Sequence, residues 1–197
     1  MLGLTSRRWF LMGSLLALAA CSSGPPARPT FADIRFTNVP PIRLDVAVIE
    51  VVDGYPPQFD APHVEEQLPI PLPHVADSWA RDRLQAAGRQ GRAVATVTDA
   101  SVVEIRLPKQ GGLTGTFTKQ EDTRYEARVS IRVEAQDGSG LTRRTAQALA
   151  ERSLTVIEGT TPNERDRMLY HMETELIADL DRQLETDIRT NFGSLVH

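Results

Sequence analysis

Apolar and polar residues alternate along Arg124 to Ala135. Tyr125, Ala127, Val129, Ile131 and Val133 hold one parity, and Arg124, Glu126, Arg128, Arg132 and Glu134 hold the other. Successive side chains of a strand point to opposite faces, so this stretch is a predicted strand with one buried and one solvated face. Asp137-Gly138-Ser139-Gly140 supplies a hairpin turn. A second strand follows over Thr142 to Ile157, with Ala146, Ala148, Ala150, Leu154 and Val156 on one parity. Its small alanines would let a helix approach closely. Earlier in the chain, Ile42 to Val52 is apolar and β-branched on both parities over its latter part, the pattern of a central strand. Ala93 to Leu107 is a further predicted strand, with Val97, Val103, Ile105 and Leu107 on one parity.

Two segments carry helical spacing. In Val75 to Ala87, an apolar stripe gathers Trp79, Leu84, Ala76, Ala80 and Ala87, while Arg81, Asp82 and Gln85 face out. Gly88 and Gly91 stop it. The second helix opens on Thr161-Pro162-Asn163-Glu164, a capping box with proline at the first helical position. Leu169, Met172, Leu176, Leu180, Leu184 and Ile188 then recur every three or four residues, to about Phe192. At 1.5 Å per residue this helix spans roughly 45 Å. Between the first strand and first helix lies a loop with the run Leu68-Pro69-Ile70-Pro71-Leu72-Pro73, whose prolines block helix and sheet ladders alike. The order β-α-β-β-β-α predicts an α+β fold: a four-stranded, mainly antiparallel sheet with both helices packed on one face.

Ahead of this domain stands Ser6 to Cys21, SRRWFLMGSLLALAAC. Arg7 and Arg8 form a charged start, and Leu11 to Ala20 is an uncharged, mostly apolar run, too short to span a bilayer and of signal-peptide length. Leu18-Ala19-Ala20-Cys21 resembles the bacterial lipobox. That resemblance implies cleavage before Cys21, a diacylglyceryl group on its sulfur and an acylated new amino terminus, which together anchor a protein stably. Ser6-Arg7-Arg8-Trp9-Phe10-Leu11-Met12 resembles the twin-arginine export motif, with Met12 where lysine is preferred, and implies folding before export. Ser22 to Thr30 is polar and Pro-rich, a linker that reaches roughly 30 Å when extended. The organisation expected is a signal peptide over 1–20, a lipidated cysteine and tether over 21–41, one domain over 42–193 and a short tail over 194–197.

Charge and residue usage narrow the function. The 197 residues carry 22 basic and 26 acidic side chains; without Arg7 and Arg8 the mature chain holds 20 against 26, a net charge of −6. That argues against a general nucleic-acid binder, which needs a basic footprint. Cys21 is the one cysteine, so no intrachain disulfide or Cys-based zinc site is available. His171 and Glu175 are spaced to share a helix face, but no H-E-x-x-H motif exists, and no G-x-S-x-G elbow. The glycines of residues 110–115 lack a Gly-Lys-Ser/Thr ending and fit a hairpin loop. No metal or cofactor is expected. The row Arg124, Arg128 and Arg132, with Glu126 beside it, is the candidate partner face; Glu126 and Glu134 favour a cross-strand charge lattice over an anionic headgroup site.

The lipobox at Leu18 to Cys21, the helix around Trp79, the strand Tyr125 to Val133 and the terminal helix together resemble small envelope lipoproteins. These are the auxiliary lipoproteins of ABC-type transport systems and the lipoprotein component of lipopolysaccharide assembly. The resemblance implies a non-catalytic accessory protein on the bacterial cell envelope. It would be anchored to the membrane through Cys21, face the periplasm, and bind an envelope protein complex or lipid in transport or outer-membrane assembly. Ser22, in the place where an aspartate favours the inner membrane, points to the outer one. A periplasm-facing enzyme and a structural spacer are the alternatives.

Overall fold

The computed structural model describes residues 29–56, 58–109 and 120–197. In chain order its elements are β1 (Ile42–Leu44), β2 (Val48–Asp53), α1 (Leu72–Arg83), β3 (Leu84–Ala86), β4 (Arg92–Asp99), β5 (Val102–Arg106), β6 (Glu121–Gln136), β7 (Arg143–Ile157) and α2 (Pro162–Asn191). Single 3₁₀ turns lie at Glu65–Gln67 and Gly193–Leu195. The fold is α+β, as the residue pattern predicts.

The alternating segment becomes β6, a strand of 16 residues on which the sheet is assembled. Along one side it pairs antiparallel with β7, from Glu121 opposite Ile157 to Gln136 opposite Arg143. Its other side is shared: β4 pairs with Ser130 to Gln136, and β5 with Thr123 to Ala127. β2 then adds parallel to β4, as it must when α1 carries the chain back across the sheet. The sheet therefore has five strands where four were expected. The predicted strand Ala93 to Leu107 breaks at Ala100-Ser101, where the register on β6 shifts beyond Val97. Asp99 accepts the Ser101 N–H at 3.0 Å and Ser101 C=O accepts the Arg128 N–H at 2.8 Å, so the interruption keeps its backbone groups satisfied.

The predicted strand Ile42 to Val52 is also divided. Asp45 to Ala47 kink it into β1 and β2, with the Val46 N–H donating to Leu44 C=O at 2.8 Å. β1 pairs parallel with β3 in a second, two-stranded sheet, Ile42 opposite Leu84. This pairing ends α1 at Arg83, earlier than the apolar stripe predicts, because Leu84 to Ala86 gain a strand partner. Gly88 follows at a close crossing: a Cβ there would lie 2.4 Å from Asp45 Oδ1 and 2.6 Å from the Asp45 carbonyl carbon. Among the described residues β2 pairs with β4 alone, so there it is an edge strand and not the central one expected. Its apolar character on both parities has two origins. Ile49 and Val51 pack against the core, while Val48 and Val52 remain exposed at 47% and 41%.

Both helices cover one face. Ala93, Ala95 and Val97 of β4, Tyr125 to Ala135 on alternate positions of β6, and Ala146, Ala148 and Ala150 of β7 are buried beneath them. α2 lies mainly over β7 and β6, where the alanines leave room for it. Its capping box forms as predicted: Glu164 N–H donates to Thr161 Oγ1 at 3.3 Å and Thr161 N–H to Glu164 Oε2 at 3.0 Å.

The chain on either side of the predicted domain is packed too. Ile34 and Phe36 are buried, Phe31 and Tyr170 stack with ring centroids 4.8 Å apart, and Tyr170 donates to Ala32 C=O at 3.0 Å. Arg35 holds Asp82 through two hydrogen bonds, of 2.7 and 2.5 Å, and Phe36 N–H donates to the same carboxylate at 2.9 Å. Residues 31–41 are thus part of the globule. So is the C-terminus: Leu195 is buried, Asp45 N–H donates to Leu195 C=O and His197 N–H to Arg43 C=O, both at 2.9 Å.

Arg83 ties these pieces together. Its side chain is fully buried and donates to Asp181 at 2.6 Å, to Glu185, and to Pro40 C=O. Trp79 Nε1 donates to the same Asp181 oxygen at 2.8 Å. Truncation leaves Asp181 at the helix seam without its cation, while Glu185 keeps Arg189, so Arg83→Ala is expected to destabilise the domain by about 3 kcal/mol. Arg81→Ala, which removes an exposed pair with Asp77, is expected to cost under about 1 kcal/mol. Urea midpoints of the two variants measure the contrast.

Candidate interaction surface

The face of the sheet away from the helices is built from the polar parity of β6 and its neighbours. Antiparallel register sets Arg132 between Thr96 of β4 and Gln147 of β7, and Arg128 beside Glu151. The four residues singled out from the sequence, Arg124, Glu126, Arg128 and Arg132, therefore lie on one strand and one face. Each arginine has a neighbour: Arg124 Nε is 3.1 Å from Glu126, Arg128 Nε is 2.7 Å from Glu151, and Arg132 Nε donates to Gln147 Oε1 at 3.2 Å. Thr98 and Ser130 share a hydrogen bond of 3.0 Å between hydroxyls. The Arg124–Glu126 and Arg128–Glu151 ion pairs are exposed, and such pairs contribute between 0 and about 1 kcal/mol each, whereas Ser130 is buried. They leave both charge signs and many hydrogen-bonding groups facing water, interrupted by exposed Leu149, Val48 and Val52. Arg7, Arg8, Phe10, Leu11, Leu18, Ala19, Ala20 and Cys21, and the loop at 110–115, lie outside the described residues.

A cavity of about 520 Å³ opens where β7 meets the start of α2, lined in part by Thr155, Ile157, Thr160, Arg167 and Met168. Its carboxylate, Glu164, is engaged by the helix cap. Beside it, Tyr125 donates to Glu104 at 3.0 Å, and burial, then the Glu104 charge, holds this phenol above its ordinary range. Among the described residues no group of three His, Cys, Asp or Glu side chains gathers as a metal site. His171 and Glu175 are both exposed on α2, and Glu175 lies 3.3 Å from Arg152. No helix among the described residues is long and apolar enough to cross a membrane.

Two buried acids escaped the sequence reading. Glu65, fully buried, accepts from Tyr55 OH at 2.7 Å and from Val102 N–H at 3.3 Å, with His63 Nδ1 at 3.4 Å. Burial and Glu65 raise the Tyr55 phenol, keeping it a donor. The cluster fastens the proline-rich loop to β5. Nothing in the spacing of Tyr55, His63 and Glu65 announces it. Glu173 was legible in principle, since it stands within the apolar stripe of α2, beside Met172 and one turn from Leu169 and Ile177. It is fully buried, and neither carboxylate oxygen has a hydrogen-bond partner among the described residues. Burial pushes its pKa up to about 8; the nearby Ile70 peptide N–H opposes the shift without bonding geometry.

No protein-family model matches the chain, and no curated protein matches it. Solved structures to which the chain is similar include the following two. One is a minor lipoprotein from Acinetobacter baumannii, at 18% identity and TM-score 0.34, with 71% of this chain and 88% of that chain covered. The other, from Caulobacter crescentus CB15 and described as a "putative lipoprotein", has 16% identity and TM-score 0.34, covering 72% and 88%. Likeness at this level transfers no residue and no role.

Glu173 gives the domain a pH dependence of definite sign. Between about 4.5, its ordinary value, and about 8, the folded chain holds a proton that the unfolded chain has released. Stability is therefore expected to fall as pH rises through this window, by roughly 1.4 kcal/mol per unit at most. Glu173→Gln is expected to flatten the slope and raise stability at pH 8, as measured by urea unfolding at a series of pH values.

Proposed function

We propose that this chain is a non-catalytic, lipid-anchored protein of the bacterial cell envelope. It is held at the membrane by Cys21 and binds an envelope protein through the open face of its sheet. The observation that supports this reading best is the packing of residues 31–40 across the helical layer, through Tyr170, Asp82 and Arg83. Cys21 precedes Pro29 by eight residues. Even fully extended, such a link spans under about 30 Å. An anchor at Cys21 then keeps the helical layer toward the bilayer and leaves the open sheet face on the far side of the domain, free for a partner.

The chemistry of that face favours a protein over an anionic headgroup. A headgroup would meet Glu126, Glu134 and Glu151 among the arginines, whereas a protein surface can match both signs and the hydroxyl and amide groups between them. Transport and outer-membrane assembly complexes are the partners this reading puts first, and Ser22 supports the outer membrane as the site of anchoring.

Cys21→Ser is expected to move the protein from the membrane to the soluble fraction and abolish incorporation of labelled fatty acid; membrane retention of an unlabelled chain would overturn the anchor. A photo-crosslinking residue at Leu149 on the open face is expected to trap an envelope protein in native membranes, and one at Arg81 on α1 is not. Equal trapping from both positions, or none from Leu149, would remove the sheet face as the partner surface.

A further inference from the structure

Among the described residues, the outer edges of β5 and β1 are covered, and those of β2 and β7 are largely open. Residues 62–64 cover the outer edge of β5, with Val64 N–H donating to Val102 C=O and Glu104 N–H to Pro62 C=O, both at 2.9 Å. Residues 195–197 cover the outer edge of β1. β7 pairs with β6 alone among the described residues, and along its outer edge Asp187 takes the Gln147 N–H at 2.9 Å. Along β2, by contrast, no backbone group bonds to any described residue outside β4. The strand is six residues long, of ordinary length for pairing, and four of the six are Val or Ile. An open β-branched edge is a template for another strand, and proteins that do not use one usually cover it, as this chain does at β1 and β5.

We propose that the outer edge of β2 receives an extended, basic segment of the partner protein, which adds to the sheet as a further strand. This deepens the binding role proposed above and rests on it. Charge selects the occupant. Glu50 is exposed on the open-face parity of β2 and has no ion-pair partner among the described residues, while Asp53, on the other parity at the strand's end, accepts the Tyr55 N–H at 3.1 Å. A second copy of this chain fits poorly. Of the two near-centred antiparallel pairings that keep both helical layers on one side, one sets Glu50 directly opposite Glu50, where like charges destabilise, and the other sets Asp53 opposite Ile49. A segment with lysine or arginine beside Glu50 and apolar residues beside Ile49 and Val51 satisfies both faces. Main-chain hydrogen bonds then supply affinity and the alternate side chains supply selectivity.

The test uses the full-length lipoprotein in nanodiscs and a capped decapeptide of alternating lysine and valine. Saturating peptide is expected to slow amide exchange within residues 48–53 at least tenfold. The same peptide with glutamate for lysine, or with alternate backbone nitrogens methylated, is expected to leave exchange unchanged. In Glu50→Lys/Asp53→Lys, at two exposed positions, the preference is expected to pass to the glutamate peptide. Unchanged exchange with the lysine peptide overturns the proposal, as does protection indifferent to the charge swap. Protection that grows with protein concentration and without peptide assigns the edge to a second copy instead. Peptide protection without trapping at Leu149 would retain the edge and discard the open face.

Discussion

A single buried guanidinium holds the non-sheet half of this molecule in place. Arg83 ends α1, and its donors reach Asp181 and Glu185 on α2 and the carbonyl of Pro40 in the N-terminal segment. Three parts of the chain, far apart in sequence, meet on one planar fork. A buried arginine is tolerated only where its donors are answered, and here each direction of the fork finds an oxygen. Trp79 then places its ring against the same seam and its N–H on Asp181. The angle of α1 to α2 and the path of residues 31–40 are fixed together. Through them, so is the face that a membrane anchor would hold inward.

The sheet side obeys a different constraint. A strand as long as β6 needs partners along its full length on both sides, and one neighbour suffices only on the β7 side. On the other, two shorter strands share it, with the Asp99–Ser101 interruption between them. Other edges are covered, wholly or in part, by whatever lies near: a turn of the proline-rich loop, the C-terminal residues, a carboxylate from α2. Among the described residues β2 keeps its outer edge open, with Glu50 exposed along it.

Two buried acids of this chain sit in different surroundings. Glu65 is surrounded by donors and locks a loop to β5. Glu173, equally buried, lacks such donors and is driven toward its neutral form. The first contributes order to the loop; the second makes stability fall with rising pH. Their difference lies in the neighbours, since the residue type and the degree of burial are the same.

Periodicity by itself determined the α+β class, the long solvated strand, its hairpin with β7 and the capped terminal helix, because each depends on residues close in sequence. The expectation of an export signal and anchor at residues 6–21 also rests on a local order, of charge, apolar run and cysteine, and lies outside the described residues. Tertiary structure decided the rest. Nothing local shows that Asp45 to Ala47 must kink, for the kink is set by β3 lying alongside β1. Nor does the apolar run of β2 reveal that it stands at an edge, since exposure of Val48 and Val52 depends on the absence of a neighbour. The aromatic and arginine positions of α1 were placed correctly on a helix, but the oxygens that capture Arg83 come from about a hundred residues away. Contacts between distant segments leave no spacing to read, and in this protein they choose which surfaces remain free to bind.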